Sequence, residues 1–281
     1  MAGLPPPNHP PNLRLVPGFR FLREAVMRAD RLFFILLLGL LIAAEALATQ
    51  PGAPLLPRYH RIFSTWKDNP HSSHVFFSPS AIPLEQGNGY YANSYVLMHS
   101  AWFAPLDNIS IGAGFQMLSV LASLRPDQNK LPGGFVAVKA SKRLQPGIHA
   151  GVFIMGTQLS TDPPFADTLK TGKQLTTFMG QATFGTGEAH FTINMGYNRS
   201  NGRFTDSPQF GFSGQWRITE PFALVTENWF LNFGKEMLPI YSVGGRFIHR
   251  KLAADAALVY NKEIAKGFGS VVPYFGFSLR F

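Results

Sequence analysis

The sequence has no cysteine, no run of like charges, and one apolar stretch long enough to stand out in 281 residues. Each absence excludes something. Without cysteine there is no disulfide scaffold, which fits an oxidising exterior where free thiols are a liability. A single apolar stretch excludes a bundle of transmembrane helices, which needs several segments of about 20 apolar residues. Charged residues make up only 15% of the chain, against about 25% in an average domain, and this excludes a disordered chain or a coiled coil. The net charge is +9, but the basic residues are scattered and no base-reading motif occurs, so nucleic acid is not an expected partner.

What is present is aromatic. The chain carries 26 Phe against 16 acidic residues, more ring surface than a soluble core of this size would hide. An apolar environment outside the protein as well as inside it accounts for that excess. The mean hydropathy near zero is compatible with this, because lipid-facing and polar residues alternate along the strands of a membrane β-barrel and average out.

The apolar stretch runs from Leu32 to Ala44, after Arg28 and Arg31 and before Ala-x-Ala steps at Ala44, Ala46 and Ala48. A basic start, a short apolar centre and a small-residue exit describe a secretory signal. Glu45 and the shortness of the stretch argue against a membrane anchor. The sequence therefore divides into a leader or misassigned start at 1–26, a signal peptide at 27–48 beginning at Met27, a periplasmic N-terminal segment at 49–72, and a barrel at 73–281.

From Asn93 onward the chain reads as strands of period two. Ala189, Phe191, Ile193, Met195 and Tyr197 fall on one face, and His190, Thr192, Asn194, Gly196 and Asn198 on the other. The segments 209–218 and 109–117 repeat the pattern. Connections alternate in length: short ones at 105–108, 144–146, 185–188, 219–221 and 250–251, longer ones at 122–132, 160–173, 200–207, 232–239 and 262–269. Tight periplasmic turns and long external loops have this asymmetry in outer-membrane barrels. Eleven strands follow from Tyr90 to Phe281, and an even count needs one more. The segment 74–82 (HVFFSPSAI) is the natural first strand, giving twelve with every tight turn on one side; ten is the alternative. No open sheet edge is tolerable in hydrocarbon, so the strands must close. Phe184, Trp216, Phe222 and Phe281 fall near the short-turn end, where an aromatic girdle belongs.

The chain ends on an alternating apolar row, Phe275, Phe277, Leu279 and Phe281. This row resembles the C-terminal β-signal read by the β-barrel assembly machinery. The segments FFSPSAIPLEQGNGYYANSY (76–95), DNISIGAGF (107–115) and FALVTENWF (222–230), with the close of the chain at 273–281, are together similar to a family of uncharacterised outer-membrane β-barrel proteins, hypothetical proteins of Gram-negative genomes. The resemblance covers most of the mature chain. It implies fold and location and brings no activity.

Candidate chemistry lies on the polar face. A two-residue loop at Arg250 and Lys251 sets His249 opposite Leu252 and therefore Arg246 opposite Asp255, with Glu227 on the preceding strand near enough to join. Lys139, Arg217 and Gln215 share that face. Buried charge is costly unless paired, so a structural network is one reading; an eyelet that orders ions is the other. Outer-membrane phospholipase A places a His and a Ser two residues apart near an Asn. His190, Thr192 and Asn194 depart from that arrangement, with Thr for Ser and with the trio on the inward face, and no GxSxG supplies another nucleophile. His71 and His74 in HSSH are two ligands without a third, too few for a metal site. Gly112 and Gly114 sit within a strand, where they relieve crowding and do not cradle a nucleotide.

The reading is an all-β antiparallel outer-membrane barrel of a Gram-negative bacterium, not an enzyme, with no cofactor or metal. A small passive pore or ligand-binding barrel with a polar, mildly basic lumen is the leading function. A surface interaction barrel acting through its loops is the alternative, and a lipid-modifying enzyme the weaker one. Expected partners are outer-membrane lipid, the assembly machinery during biogenesis, and a small solute or ion.

Overall fold

The computed structural model describes residues 69–123, 133–158, 174–200, 202–232, 237–262 and 271–281. The expected signal peptide and leader, most of the segment 49–72 and the centres of the longer loops lie outside these residues. The strands are β1 (Gly89–Ser94), β2 (Met98–Leu106), β3 (Ile109–Gln116), β4 (Gly134–Gln145), β5 (Ile148–Gln158), β6 (Gln174–Gly185), β7 (Ala189–Ser200), β8 (Arg203–Phe204), β9 (Gln209–Thr219), β10 (Phe222–Asn232), β11 (Met237–His249), β12 (Leu252–Tyr260) and β13 (Val272–Arg280). A short helix, α1 (Met117–Ser123), follows β3.

Every neighbouring pair is antiparallel, and β13 pairs back onto β1, with Tyr90 opposite Arg280 and Ser94 opposite Gly276. The result is a closed twelve-stranded barrel. The two-residue β8 is an extra piece that pairs only with Arg199 and Ser200 at the end of β7. Closure gives every strand a partner on both edges, which is what a hydrocarbon environment demands of a sheet.

Burial follows the period-two pattern and is inverted relative to a soluble protein. Along β12, Leu252, Ala254, Ala256, Leu258 and Tyr260 are exposed while Ala253, Asp255, Ala257 and Val259 are buried. Val136, Val243 and Phe275 are 60% exposed or more, whereas Lys139, Glu227 and Arg246 are 1% or less. Apolar residues cover the outer wall and polar residues fill the inside, which is the arrangement of a barrel in lipid. Phe184, Trp216, Phe222 and Phe281 all point outward at the short-turn ends of β6, β9, β10 and β13.

Twelve strands are present, but the twelfth does not come from 74–82. That segment turns inside the barrel, with one isolated bridge between His74 and Pro79 and a tight turn closed by the Val75 amide on the Ser78 carbonyl at 2.8 Å. Its strand-like alternation fails because Val75, Phe76, Ser80 and Ala81 are all buried, and Pro79 has no amide to give a ladder. The extra strand arises where 90–104 splits in two. Tyr95 and Val96 both take positive φ, 57° and 63°, and the Leu97 amide donates to the Ser94 carbonyl, the pattern of a primed hairpin turn. This tight turn sits at the long-loop end, so not all tight turns share one side.

Two glycines do the work expected of them. A Cβ on Gly112 would stand 2.4 Å from the Trp102 ring, and one on Gly114 2.3 Å from the Phe135 ring. Each inward aromatic lies flat over the glycine of the neighbouring strand, which only a missing side chain permits.

Candidate functional site in the barrel lumen

The lumen holds residues 69–88. The segment enters at the short-turn end, where the Asn69 amide donates to Glu188 Oε1 at 2.8 Å and its side chain to the Gly187 carbonyl at 2.9 Å. It rises to a turn at Phe76 and Phe77, then returns to the same end, where the Gln86 amide meets Asp107 Oδ1 and the chain passes into β1. A segment without ladder partners must find other acceptors and donors for its backbone, and the barrel wall supplies them.

Arg246 is the central supplier. It pairs with Asp255 through Nε to Oδ1 at 2.7 Å and Nη2 to Oδ2 at 3.0 Å. Its remaining donors go to the carbonyls of His71, His74 and Val75 at 2.8 to 3.1 Å and to Gln215 Oε1 at 3.0 Å. The two residues face each other across β11 and β12 in direct register, as the two-residue loop implies. A planar fork with five donors suits this role, because it holds a carboxylate on one edge and carbonyls on the other.

The other inward polar residues act in the same sense. Lys139 Nζ donates to the carbonyls of Ser80 and Ile82 at 3.0 and 2.9 Å. Glu227 does not join Arg246; its Oε2 accepts the Phe76 and Phe77 amides at 2.8 and 2.9 Å, and its Oε1 accepts Trp229 Nε1 at 2.7 Å. Arg217 binds Glu188 Oε2 at 2.6 Å and the Glu220 carbonyl, so it braces the entry turn. Gln215 holds Arg246 in place. The six residues thus share one lumen; Lys139, Glu227 and Arg246 bond the inserted segment directly, Asp255 and Gln215 hold Arg246, and Arg217 braces the entry turn.

Sequence reasoning missed several partners of the same kind. Gln181 donates to the Pro79 carbonyl at 2.8 Å, Thr183 accepts the Ala81 amide at 2.8 Å, and Tyr274 donates to the Phe76 carbonyl at 3.1 Å. Each has inward parity on its strand, but parity alone does not say what stands opposite.

His71 lies within the inserted segment, where Ser278 Oγ meets its Nδ1 at 2.9 Å. Burial, and then the charge of Arg246, push its pKa down to about 3. His74 is lowered for the same two reasons, so both imidazoles are neutral near pH 7. Among the described residues no three metal-ligating side chains cluster.

The trio on β7 forms no relay. Thr192 Oγ1 meets Thr183 Oγ1 at 2.8 Å, Asn194 Oδ1 accepts Gln181 Nε2 at 2.9 Å, and His190 Nδ1 lies 3.1 Å from the Thr186 carbonyl. All three are buried inside the barrel.

Beside these polar residues the lumen also holds an apolar cluster. Leu84, Tyr90, Trp102, Ala137, Phe153, Met179 and Trp229 form one inward cluster. The chain is a closed transmembrane β-barrel whose lumen is occupied by its own segment.

No family model and no curated protein matches the chain. Among solved structures it is similar to Salmonella typhi OmpF in complex with daunomycin, at 8% identity and a TM-score of 0.37, covering 66% of this chain and 61% of that one. A mutant Rh. blastica porin gives 10% identity and a TM-score of 0.33, covering 66% and 55%. The Acinetobacter baumannii outer membrane protein Omp33 gives 7% identity and a TM-score of 0.35, covering 69% and 96%. The chain thus spans about three fifths or less of the two porins' length.

Proposed function

We propose that this protein is an outer-membrane barrel of a Gram-negative bacterium that takes a small solute into its lumen and is held shut at rest by residues 69–88. The observation that carries this reading is Arg246, whose guanidinium ties three carbonyls of the inserted segment to Asp255 and Gln215. The same bonds weigh against a steadily open, anion-selecting eyelet. Of the cations expected to line such an eyelet, Lys139 is engaged by the inserted backbone and Arg217 by Glu188 and the Glu220 carbonyl, and charge that is already hydrogen-bonded and buried sets no ion preference.

Planar-bilayer recordings test it. The refolded chain should be silent, and Arg246→Met, which releases the clamp, should show transient openings. Steady open steps from the unaltered chain would overturn the closed state. A folded but silent Arg246→Met barrel would overturn the clamp as a gate.

The apolar row Phe275, Phe277, Leu279 and Phe281 stands exposed on the outer wall of the closing strand, as an assembly signal must. Deleting Phe281 should lower the yield of heat-modifiable barrel in the outer membrane, and an unchanged yield would remove that role.

A further inference from the structure

The inserted segment does not fill the lumen. A cavity of about 620 Å³ remains between its tip and the wall formed by β1 to β5. Its floor is the segment itself from His74 to Pro79, and it reaches the long-loop end of the strands at Gln116 and Gly133. The volume lies within the range of about 300 to 1,000 Å³ typical of small-molecule sites.

The lining has two properties that select a ligand. First, none of the described residues around it is Asp, Glu, Lys or Arg, although the clamp beneath is built from just those types. A charged solute would enter without a counter-charge and lose its hydration, which costs several kcal/mol in a site of low polarity. Second, although Ser94, Ser100, Gln116 and Gln158 also line it, the walls are mostly apolar and rich in rings. Tyr90, Trp102, Phe135, Phe153 and Met155 face inward, and Phe77 rises from the floor. Trp102 has its neighbours in loose ring contact, with centroids 6.3 Å from Phe135 and 6.1 Å from Phe153. Such walls favour a flat apolar guest.

Four of the described lining residues carry a buried side-chain polar atom without a hydrogen-bond partner: Ser78 Oγ, His99 Nε2, His74 Nδ1 and Thr157 Oγ1. His74 is 7% exposed and stacked on Tyr90 at 4.3 Å, and its buried Nδ1 has no hydrogen-bond partner. Thr157 Oγ1, on the inward face of β5, is likewise buried and unmatched. Both residues line the cavity. A buried polar atom without a partner costs about 1 to 3 kcal/mol, and a ligand bearing one hydrogen-bonding group would relieve it.

We infer that this cavity is a binding site for an uncharged, flat, largely apolar molecule of one or two rings that carries a single hydroxyl or amide group. The inference rests on the closed-barrel reading above and names the class of solute that barrel takes. The rings pack against Trp102, Phe135 and Phe153, and the polar group meets Thr157 Oγ1. Anions and cations are excluded.

Equilibrium dialysis of 1-naphthol against the full chain in lipid nanodiscs, with empty nanodiscs subtracted, tests the site. The expected result is one saturable site that 1-naphthoate, the anionic counterpart, does not occupy. Ser100→Trp, which projects a ring into the cavity, should weaken binding by about tenfold or more, while Val138→Trp on the lipid face should not change it. Thr157→Val, the isosteric loss of the hydroxyl, should weaken 1-naphthol by about threefold or more and leave naphthalene unchanged, whether or not Ser100→Trp folds. No saturable binding above empty nanodiscs, or equal binding of naphthoate, overturns the inference. The closed barrel fails separately, through steady conductance of the unaltered chain.

Discussion

The two halves of the lumen treat the same inserted segment in opposite ways. On the side of β9 to β12, Arg246 and Glu227 hold its backbone through charge-assisted hydrogen bonds, with Asp255 and Gln215 bracing Arg246. On the side of β1 to β5, Lys139 holds the returning arm at Ser80 and Ile82, and rings face the tip at 74–79 across a cavity. Both halves descend from one sequence rule, inward parity on alternating strands. The difference teaches that parity sets which residues face the lumen, while their chemistry decides whether the lumen closes there or stays hollow. Charged groups taken out of water must find partners, and the nearest are the carbonyls and amides of a segment that has no ladder. Rings need none, so they leave space.

The comparison can be broken most severely at Arg246. Arg246→Met strands Asp255 in the interior and frees three carbonyls, and the expected loss is about 4 kcal/mol, read as a lower urea midpoint of the refolded barrel. Adding Asp255→Leu should recover part of it, since no uncompensated charge then stays buried. A single variant as stable as the unaltered chain would mean that the clamp does not hold the segment.

Glu227 comes next. Glu227→Gln removes the charge from three hydrogen bonds to the segment and Trp229, for an expected loss of about 3 kcal/mol. A loss no larger than that of Glu188→Gln, at the entry turn, would place the grip at the rim and not at the tip.

Acid should loosen the clamped half next. His71 titrates at about 3 when folded and near its ordinary value of about 6.5 when unfolded. Between those values the unfolded chain binds a proton that the folded chain refuses, so stability falls as pH falls from 6.5 toward 3. The loss from this group is about 2 kcal/mol between pH 7 and pH 5, and His71→Gln should flatten that slope in a pH series of urea midpoints. An unaltered slope would show that His71 is not neutral in the folded barrel.

The smallest effect belongs to the rim. Arg280 and Glu85 approach to 3.4 Å, but Glu85 is largely exposed, so Glu85→Gln should change stability by about 0.5 kcal/mol or less. A larger loss would show that the entry end, not the interior, anchors the segment.

Much of the fold was legible because two sources agree. Residues such as Phe191 and Ile193 announce the lipid face by alternation, and short loops rule their own registers. The pairing of Arg246 with Asp255 followed from Arg250 and Lys251 because a two-residue connection leaves one register open. The turn at Tyr95 and Val96 was not legible. A β-branched residue at positive φ is uncommon, no glycine or asparagine marks either position, and the run 90–104 therefore reads as one strand.

The segment 69–88 shows the boundary more sharply. By itself the sequence determined a closed barrel with apolar residues outside and polar residues inside, because the period of a strand is two and lipid accepts only one of the two faces. That HVFFSPSAI would leave the wall and lie within it was decided only by the tertiary structure. Its backbone bonds are completed by Arg246, Glu227, Gln181, Thr183 and Lys139, residues 57 to 172 positions away that stand side by side only after the barrel has closed.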